Sequence, residues 1–138
     1  MLALRSLSRF SGNQRGQAVI EFALVMPLLL LLVFGATEFS RAWLAMNTIS
    51  AASREGCRLA VVTGPDVAAV TARVNDVCAA GRVTPTSVVV TGPVVGDPDR
   101  RVTVEVSCDF VVIPGTILGA FSGTIPLRTS AVMRHESF

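Results

Sequence analysis

A single carboxylate, that of Glu21, stands at the head of an uncharged apolar run from Phe22 to Thr37. An ionised carboxylate near the centre of a bilayer costs about 2.5–3.5 kcal/mol, and less near the interface. A charge of that cost usually has a partner, although a glutamate at the edge of the run can reach back to the lipid headgroups. Glu21 is therefore either one half of an ion pair or an interfacial residue with no further role.

Three cysteines, Cys57, Cys78 and Cys108, are the other groups with chemistry of their own. In an exported domain they predict one disulfide and one remaining thiol. If helices on either side of Gly64 pair tightly, Cys57 lies about 10 Å along the axis from Cys78, which exceeds disulfide reach. Strand alternation points Cys108 into the core that Cys78 also faces. We predict a Cys78–Cys108 bridge with Cys57 as the free thiol; the alternative is three reduced, buried thiols.

No set of residues predicts catalysis. Glu105 and Asp109 are four apart on one strand, where solvated carboxylates are the ordinary finding. Gly92 and Gly115 belong to turns, because no Gly-rich loop with a basic residue precedes a helix. The one histidine, His135, has no ligand cluster near it in sequence. The sequence predicts no enzyme, no cofactor and no metal site.

Composition and charge describe a membrane protein with one span. Of the 138 residues, 51% are hydrophobic and 16% charged, and all twelve basic residues are Arg. Three of these, Arg5, Arg9 and Arg15, precede the apolar run, and the rest of the chain is nearly neutral. Arg on the N-terminal flank predicts a transmembrane helix with a cytoplasmic N-terminus. A secretory signal peptide is the alternative, but Val33-Phe34-Gly35 is a poor cleavage site. No clustered basic face suggests nucleic-acid binding.

The helical pattern continues beyond the apolar run. Residues at spacings of three and four predict a continuous helix from about Ala18 to Val62 whose apolar stripe packs against a small domain. The stripe consists of Phe39, Trp43, Met46, Ser50, Ser53, Cys57 and Val61. Pro27 removes one hydrogen bond inside this helix and predicts a kink. That kink is either local or a bend that helps the helix leave the membrane for a filament.

The remaining residues predict a second helix and a small sheet. Gly64 and Pro65 end the long helix, Asp66 caps a helix from about Val67 to Ala80, and Gly81 stops it. Its core-facing stripe is predicted to be Val67, Val70, Val74 and Val77. Two-residue alternation predicts strands over 87–95, 102–112 and 125–134, with a turn at 96–100 and an apolar loop at 114–123. The fold class is α+β, with a three-stranded antiparallel sheet.

The residues before the apolar run resemble the processing site of type IV prepilins. Arg15-Gly16-Gln17-Ala18-Val19-Ile20-Glu21 has the Gly at which the basic leader of those proteins ends. The resemblance implies cleavage by a prepilin peptidase between Gly16 and Gln17, which makes Glu21 the fifth residue of the processed chain. It also implies that Glu21 neutralises the new terminal amine of a neighbouring subunit. The implied domains are a leader (1–16), a transmembrane helix (17–37) and an extracytoplasmic pilin-like domain (38–138).

Longer stretches resemble the TadE-like family of pilin-related proteins from tight-adherence (Flp) pilus systems. They are GQAVIEFALVMPLLLLLVFGATEFSRA, ISAASREGCRLAVV and the ending TSAVMRHE. Cys57 departs from the small residue that the family usually has after REG. The resemblance implies a minor pilin or pseudopilin-like subunit of a type IVc-like pilus, because major subunits resemble a leader plus little more than a helix. Implied partners are other pilins, the prepilin peptidase, the assembly platform and the bilayer. A membrane-anchored binding protein outside the filament is the alternative.

Overall fold

The computed structural model describes residues 14–64, 66–92, 100–113 and 123–134. Two helices, α1 (Gln14–Thr63) and α2 (Val67–Ala80), precede three strands, β1 (Pro85–Thr91), β2 (Arg101–Val111) and β3 (Thr124–Arg134). The chain divides into two compact units, Met1–Ala36 and Thr37–Phe138. We call them the N-terminal unit and the C-terminal unit. The predicted α+β architecture, a long apolar helix, a short helix and a three-stranded antiparallel sheet, is confirmed.

Helix α1 has the extent predicted from the sequence, with a few residues more at its N-terminus. Leu is the commonest residue in its first half, and Leu is a strong helix former. The helix continues through Pro27 and stops before Gly64, whose φ of +87° only glycine adopts at low cost. The predicted cap of α2 is also confirmed, since the Asp66 carboxylate accepts a hydrogen bond from the Ala68 amide at 3.0 Å.

Helix α2 buries Val70, Val74 and Cys78, as the stripe predicted. The prediction is wrong for Val67, which is exposed. Val67 lies on the same helix face as Val70 and Val74, so it is exposed because it belongs to the first turn of α2. Val62, in the last turn of α1, is exposed as well, and this end of the helix pair extends past the core.

The sheet has the order β1-β2-β3 with both pairs antiparallel. Along β2, one face is buried and the other is partly exposed, as the alternation predicted; the buried residues are Val102, Val104, Val106, Cys108 and Phe110. Strand β1 begins two residues earlier than expected, at Pro85. It ends at Thr91, and Gly92, which lies within its predicted length, does not belong to it. Residues 93–95 of its predicted length, the turn residues 96–99 and the loop residues 114–122 lie outside the described residues.

The core of the C-terminal unit lies between the two helices and the inner face of the sheet. The face of α1 that it uses corrects part of the sequence prediction: Ser53 and Cys57 of the predicted stripe are buried, but its first three residues are not. Phe39, Trp43 and Met46 are exposed, whereas mostly small residues are buried; these are Ala45, Ile49, Ala52, Ser53, Gly56, Cys57 and Ala60. Small side chains allow α2 and the sheet to approach the helix backbone closely, and aromatic rings on that face would hold them apart.

Candidate assembly segment and buried cysteines

The residues at the predicted processing junction lie in the first turns of α1. Gly16 is exposed, and a Cβ added to it would meet no atom within 4 Å. The fold therefore places no steric demand for glycine at this position. The Gln17 side-chain amide donates a hydrogen bond to Glu21 Oε1 at 3.3 Å, because residues four apart lie on the same helix face. This contact places the Glu21 carboxylate beside residue 17.

The helix surface around and after Glu21 is apolar on all sides. Thirteen large hydrophobic residues of the N-terminal unit are exposed; they are Val19, Ile20, Phe22, Leu24, Val25, Met26, Leu28, Leu29, Leu30, Leu31, Leu32, Val33 and Phe34. Within the described part of the chain, one helix is long and apolar enough to cross a membrane, and none of its most apolar window is buried. A helix that is hydrophobic all round needs lipid or protein around it.

Pro27 lies inside this apolar stretch and is itself exposed. Its ring removes the hydrogen bond that the Ala23 carbonyl would otherwise accept. In lipid, a freed carbonyl is tolerated where a neighbouring helix or water satisfies it. A role for Pro27 in bending the helix stays a prediction.

The segment of α1 from Arg54 to Arg58 packs against α2. Gly56 is buried, and a Cβ on it would lie 2.8 Å from Val74 Cγ2 and 3.3 Å from Val104 Cγ1. Its glycine therefore allows both α2 and β2 to contact the α1 backbone. Sequence reasoning missed this role, although the REG motif was the signal that could have indicated it.

Glu55 adds an ionic contact between the helices. Its Oε1 accepts from Arg73 Nη2 at 2.8 Å, and Arg58 approaches Oε2 at 3.4 Å. The hydrogen bond from Arg73 is the main reason why the pKa of Glu55 lies below its ordinary value. This contact and the neighbours of Gly56 show that α2 packs against the part of α1 that precedes Gly64.

Cys57 is buried between α1 and the sheet. Its thiol donates to the Ala131 carbonyl of β3 at 3.0 Å. Burial raises the pKa of this thiol, and a backbone hydrogen bond from Val104 offsets part of the rise. Cys57 is therefore a protonated, hydrogen-bonded group of the core.

Cys78 and Cys108 are buried in the same core cluster, as predicted from their positions. Burial raises the pKa of both thiols, and the negative charge that a Cys108 thiolate would carry raises the pKa of Cys78 further. All three cysteines are free thiols in this structure. Because exchange requires a thiolate, a Cys78–Cys108 bridge would have to form before the core closes. The bridge stays a prediction.

Two of the remaining candidate groups, Glu105 and Asp109, lie on the surface of the sheet. Asp109 is exposed, while Glu105 is partly exposed and lies 3.7 Å from Arg128 of β3. His135 and Gly115 lie outside the described residues. Among the residues that are described, no group of three His, Cys, Asp or Glu side chains could hold a metal ion.

Comparison with known proteins finds a family that resembles part of α1. Residues 16–58 match the family model described as TadE-like protein. The match confirms the resemblance predicted from the sequence, covers less than a third of the chain, and includes the junction, the apolar run and the REG segment. The likeness of the C-terminal TSAVMRHE to the family stays a prediction. No curated protein and no solved structure matches the chain.

Proposed function

We propose that this chain, whose residues 16–58 are TadE-like, is a minor-pilin or pseudopilin-like structural component of a tight-adherence (Flp) pilus. One observation carries the proposal. The Gln17–Glu21 contact stands at the head of a helix that exposes large apolar side chains on every face.

The exposed apolar surface of the helix fits burial in two successive environments, first a bilayer and then a filament. Burial of apolar surface is worth about 25 cal/mol per Å², so thirteen such side chains are strongly unfavourable in water. Before assembly the bilayer covers them, and in a filament the helices of neighbouring subunits do. The location that follows is the bacterial cytoplasmic membrane, with the N-terminus in the cytoplasm and the C-terminal unit outside.

The position of Glu21 next to Gln17 supports processing followed by an ion pair between subunits. Cleavage between Gly16 and Gln17 by a prepilin peptidase would release the leader and create an α-amino group on Gln17. Glu21 already contacts the Gln17 side chain, so its carboxylate is within reach of cations at this end of the helix. In a low-dielectric filament core, a neighbour's terminal amine would compensate the carboxylate, and each charge would lower the cost of burying the other. Major and minor pilins and the assembly platform are the partners.

The second candidate function is a membrane-anchored binding protein that never enters a filament. The C-terminal unit favours it, because this unit has its own core and a surface cleft of about 400 Å³. A permanent anchor does not need a carboxylate at the head of its apolar helix. Substitution of Glu21 therefore distinguishes the two functions.

The processing step is tested by mass spectrometry of the protein extracted from membranes. The native chain should begin at Gln17, and Gly16→Leu should leave the full-length precursor in the membrane. Gly35→Leu is the matched control, since a Cβ at Gly35 also meets no atom within 4 Å. Maturation of Gly16→Leu to the native mass would refute the cleavage site.

The assembly role is tested by substituting Glu21. Glu21→Gln should still be cleaved and remain in the membrane, because a neutral amide is cheaper to bury, but less protein should be recovered with sheared pili. Glu21→Asp should do less damage, and Glu38→Gln, at the next glutamate of the same helix, should do none. Unchanged piliation in Glu21→Gln would favour the anchored binding protein.

A further inference from the structure

One end of the C-terminal unit exposes an unusual number of large apolar side chains. Three lie on the first turns of α1 in this unit, and three lie where β2 ends and β3 begins; they are Phe39, Trp43, Leu44, Val111, Ile113 and Ile125. The Arg41 guanidinium brings the two groups together, since it lies 5.2 Å above the Phe110 ring. Phe110 in turn pairs with Ile125 across the sheet. We call these six residues the apolar end.

We propose that the apolar end rests in the headgroup layer of a phospholipid bilayer, with the Phe39 and Trp43 rings as its anchors. The inference rests on the membrane residence proposed above and adds a contact between the C-terminal unit and lipid. It concerns the membrane-held protein, whether or not that protein later enters a filament.

Distance along α1 supports this position. Phe39 follows the end of the uncharged run by two residues and Trp43 by six, which is about 3 and 9 Å at 1.5 Å per residue. A hydrocarbon layer of about 30 Å needs about 20 residues, and each headgroup layer adds about 5–8 Å. The proposed transmembrane helix, residues 17–37, supplies twenty-one residues, so the hydrocarbon layer ends close to Thr37. Both rings then fall near the headgroup layer.

The chemistry of the two rings fits the same layer. Their centroids lie 6.2 Å apart and the rings are nearly parallel, so they present one continuous aromatic surface. Trp and other amphipathic aromatics concentrate at membrane interfaces, where one edge is apolar and the other contacts water. Both side chains are about two-thirds exposed, and neither contributes to the core of its own unit.

The charges around the apolar end nearly cancel. Arg41 donates to both carboxylate oxygens of Glu38, at 2.7 and 2.9 Å. Arg82 and Asp109 line the cleft beside Arg41 with opposite charges. The contact therefore depends on the aromatic and aliphatic side chains, and a zwitterionic lipid should suffice.

The test uses the fluorescence of Trp43, which is the only Trp in a chain without Tyr. The full chain is reconstituted into phosphatidylcholine vesicles at a low protein-to-lipid ratio and floated. A chain that does not float refutes membrane residence itself, and with it this inference. In floated vesicles, phosphatidylcholine brominated near the headgroup end of its acyl chains should quench Trp43 by more than half, and aqueous acrylamide should quench it weakly.

A matched variant moves the fluorophore along the same helix. Trp43→Phe combined with Val62→Trp places it at a highly exposed position nineteen residues further on. This variant should show strong acrylamide quenching and no quenching by the brominated lipid. The inference is overturned if native Trp43 behaves like the variant. It is also overturned if Trp43 is shielded from both quenchers and the shielding grows with the protein-to-lipid ratio, because a second copy would then cover the apolar end.

Discussion

The N-terminal and C-terminal units treat apolar side chains in opposite ways. In the N-terminal unit, large side chains such as Phe22, Leu28 and Leu31 are exposed, and no residue in the described part of the chain covers them. In the C-terminal unit, α1 buries small residues such as Ala52 and Ala60 and leaves Phe39 and Trp43 outside. Along one helix, therefore, the largest apolar residues are the exposed ones. The hydrophobicity of a helix face indicates that it must be buried. The size of its side chains indicates whether other elements of the same chain can pack closely enough to bury it.

The largest expected effect is a cavity in the C-terminal core. Ile49 is fully buried, so Ile49→Ala should lower the free energy of unfolding of the C-terminal unit by about 2–5 kcal/mol. Leu30→Ala makes a similar change on the exposed surface of the N-terminal unit and should leave that value unchanged. Denaturant unfolding of both variants in lipid nanodiscs, followed by circular dichroism of the sheet, measures the difference. Equal effects would contradict the contrast between the units.

The predicted disulfide would strengthen the contrast by a covalent link confined to the C-terminal unit. A bridge from Cys78 to Cys108 closes a loop of about 30 residues, which is worth about 3–4 kcal/mol. The oxidised protein should show one blocked thiol after alkylation, and Cys78→Ser and Cys108→Ser should abolish the same bridge on non-reducing gels. A bridge that survives either one of these substitutions but disappears in Cys57→Ser would refute the pairing.

Glycine substitutions probe the same contrast on α1 with a single methyl group. Gly56→Ala forces a Cβ to 2.8 Å from Val74 Cγ2 and should cost about 1–3 kcal/mol by overpacking. Gly35→Ala enters open space, and Ala is the better helix former, so the C-terminal unit should be unaffected. Thermal melts of the two variants measure this difference as a change in melting temperature. An unchanged melting temperature in Gly56→Ala would mean that the helices do not approach as closely as described.

The smallest expected effect concerns pH. The pKa of Glu55 is lowered mainly by Arg73, so this contact stabilises the fold above the unfolded pKa of the carboxyl, about 4.3. The stabilisation is lost as pH falls through the lower folded pKa. Arg73→Ala should therefore destabilise slightly at neutral pH and have no effect in strong acid, and Arg58→Ala should do less. A melting-temperature difference that does not change with pH would contradict this assignment.

Much of the fold could be predicted from local patterns. The break at Gly64, the Asp66 cap and the alternation along β2 depend on neighbouring residues, and each was predicted correctly. The buried face of α1 was predicted only in part. Ser53 and Cys57 are buried as predicted, but Phe39 and Trp43 are not, because the stripe beginning at Phe39 satisfies helical spacing as well as the one beginning at Ala45. Periodicity counts apolar positions, but the width of the space between a helix and its neighbours is not a local property.

Some residues of the candidate site could also be predicted from local patterns, and others could not. Gly16, Gln17 and Glu21 could be named from their spacing because they act within two helical turns, and the helix brings Gln17 and Glu21 into contact. Gly56 and the Glu55–Arg73 contact could not be assigned, since their partners on α2 and β2 are distant in sequence.

The sequence by itself determined the class of molecule: a helix too apolar for water, a carboxylate at its head and a small α+β unit behind it. Those properties depend on residue type and on spacing within a few turns. Tertiary structure alone decided that Phe39 and Trp43 remain outside the core, and that α2 and β2 approach the α1 backbone at Gly56. These outcomes depend on how closely separate elements approach one another, which depends on the side chains of all of them together.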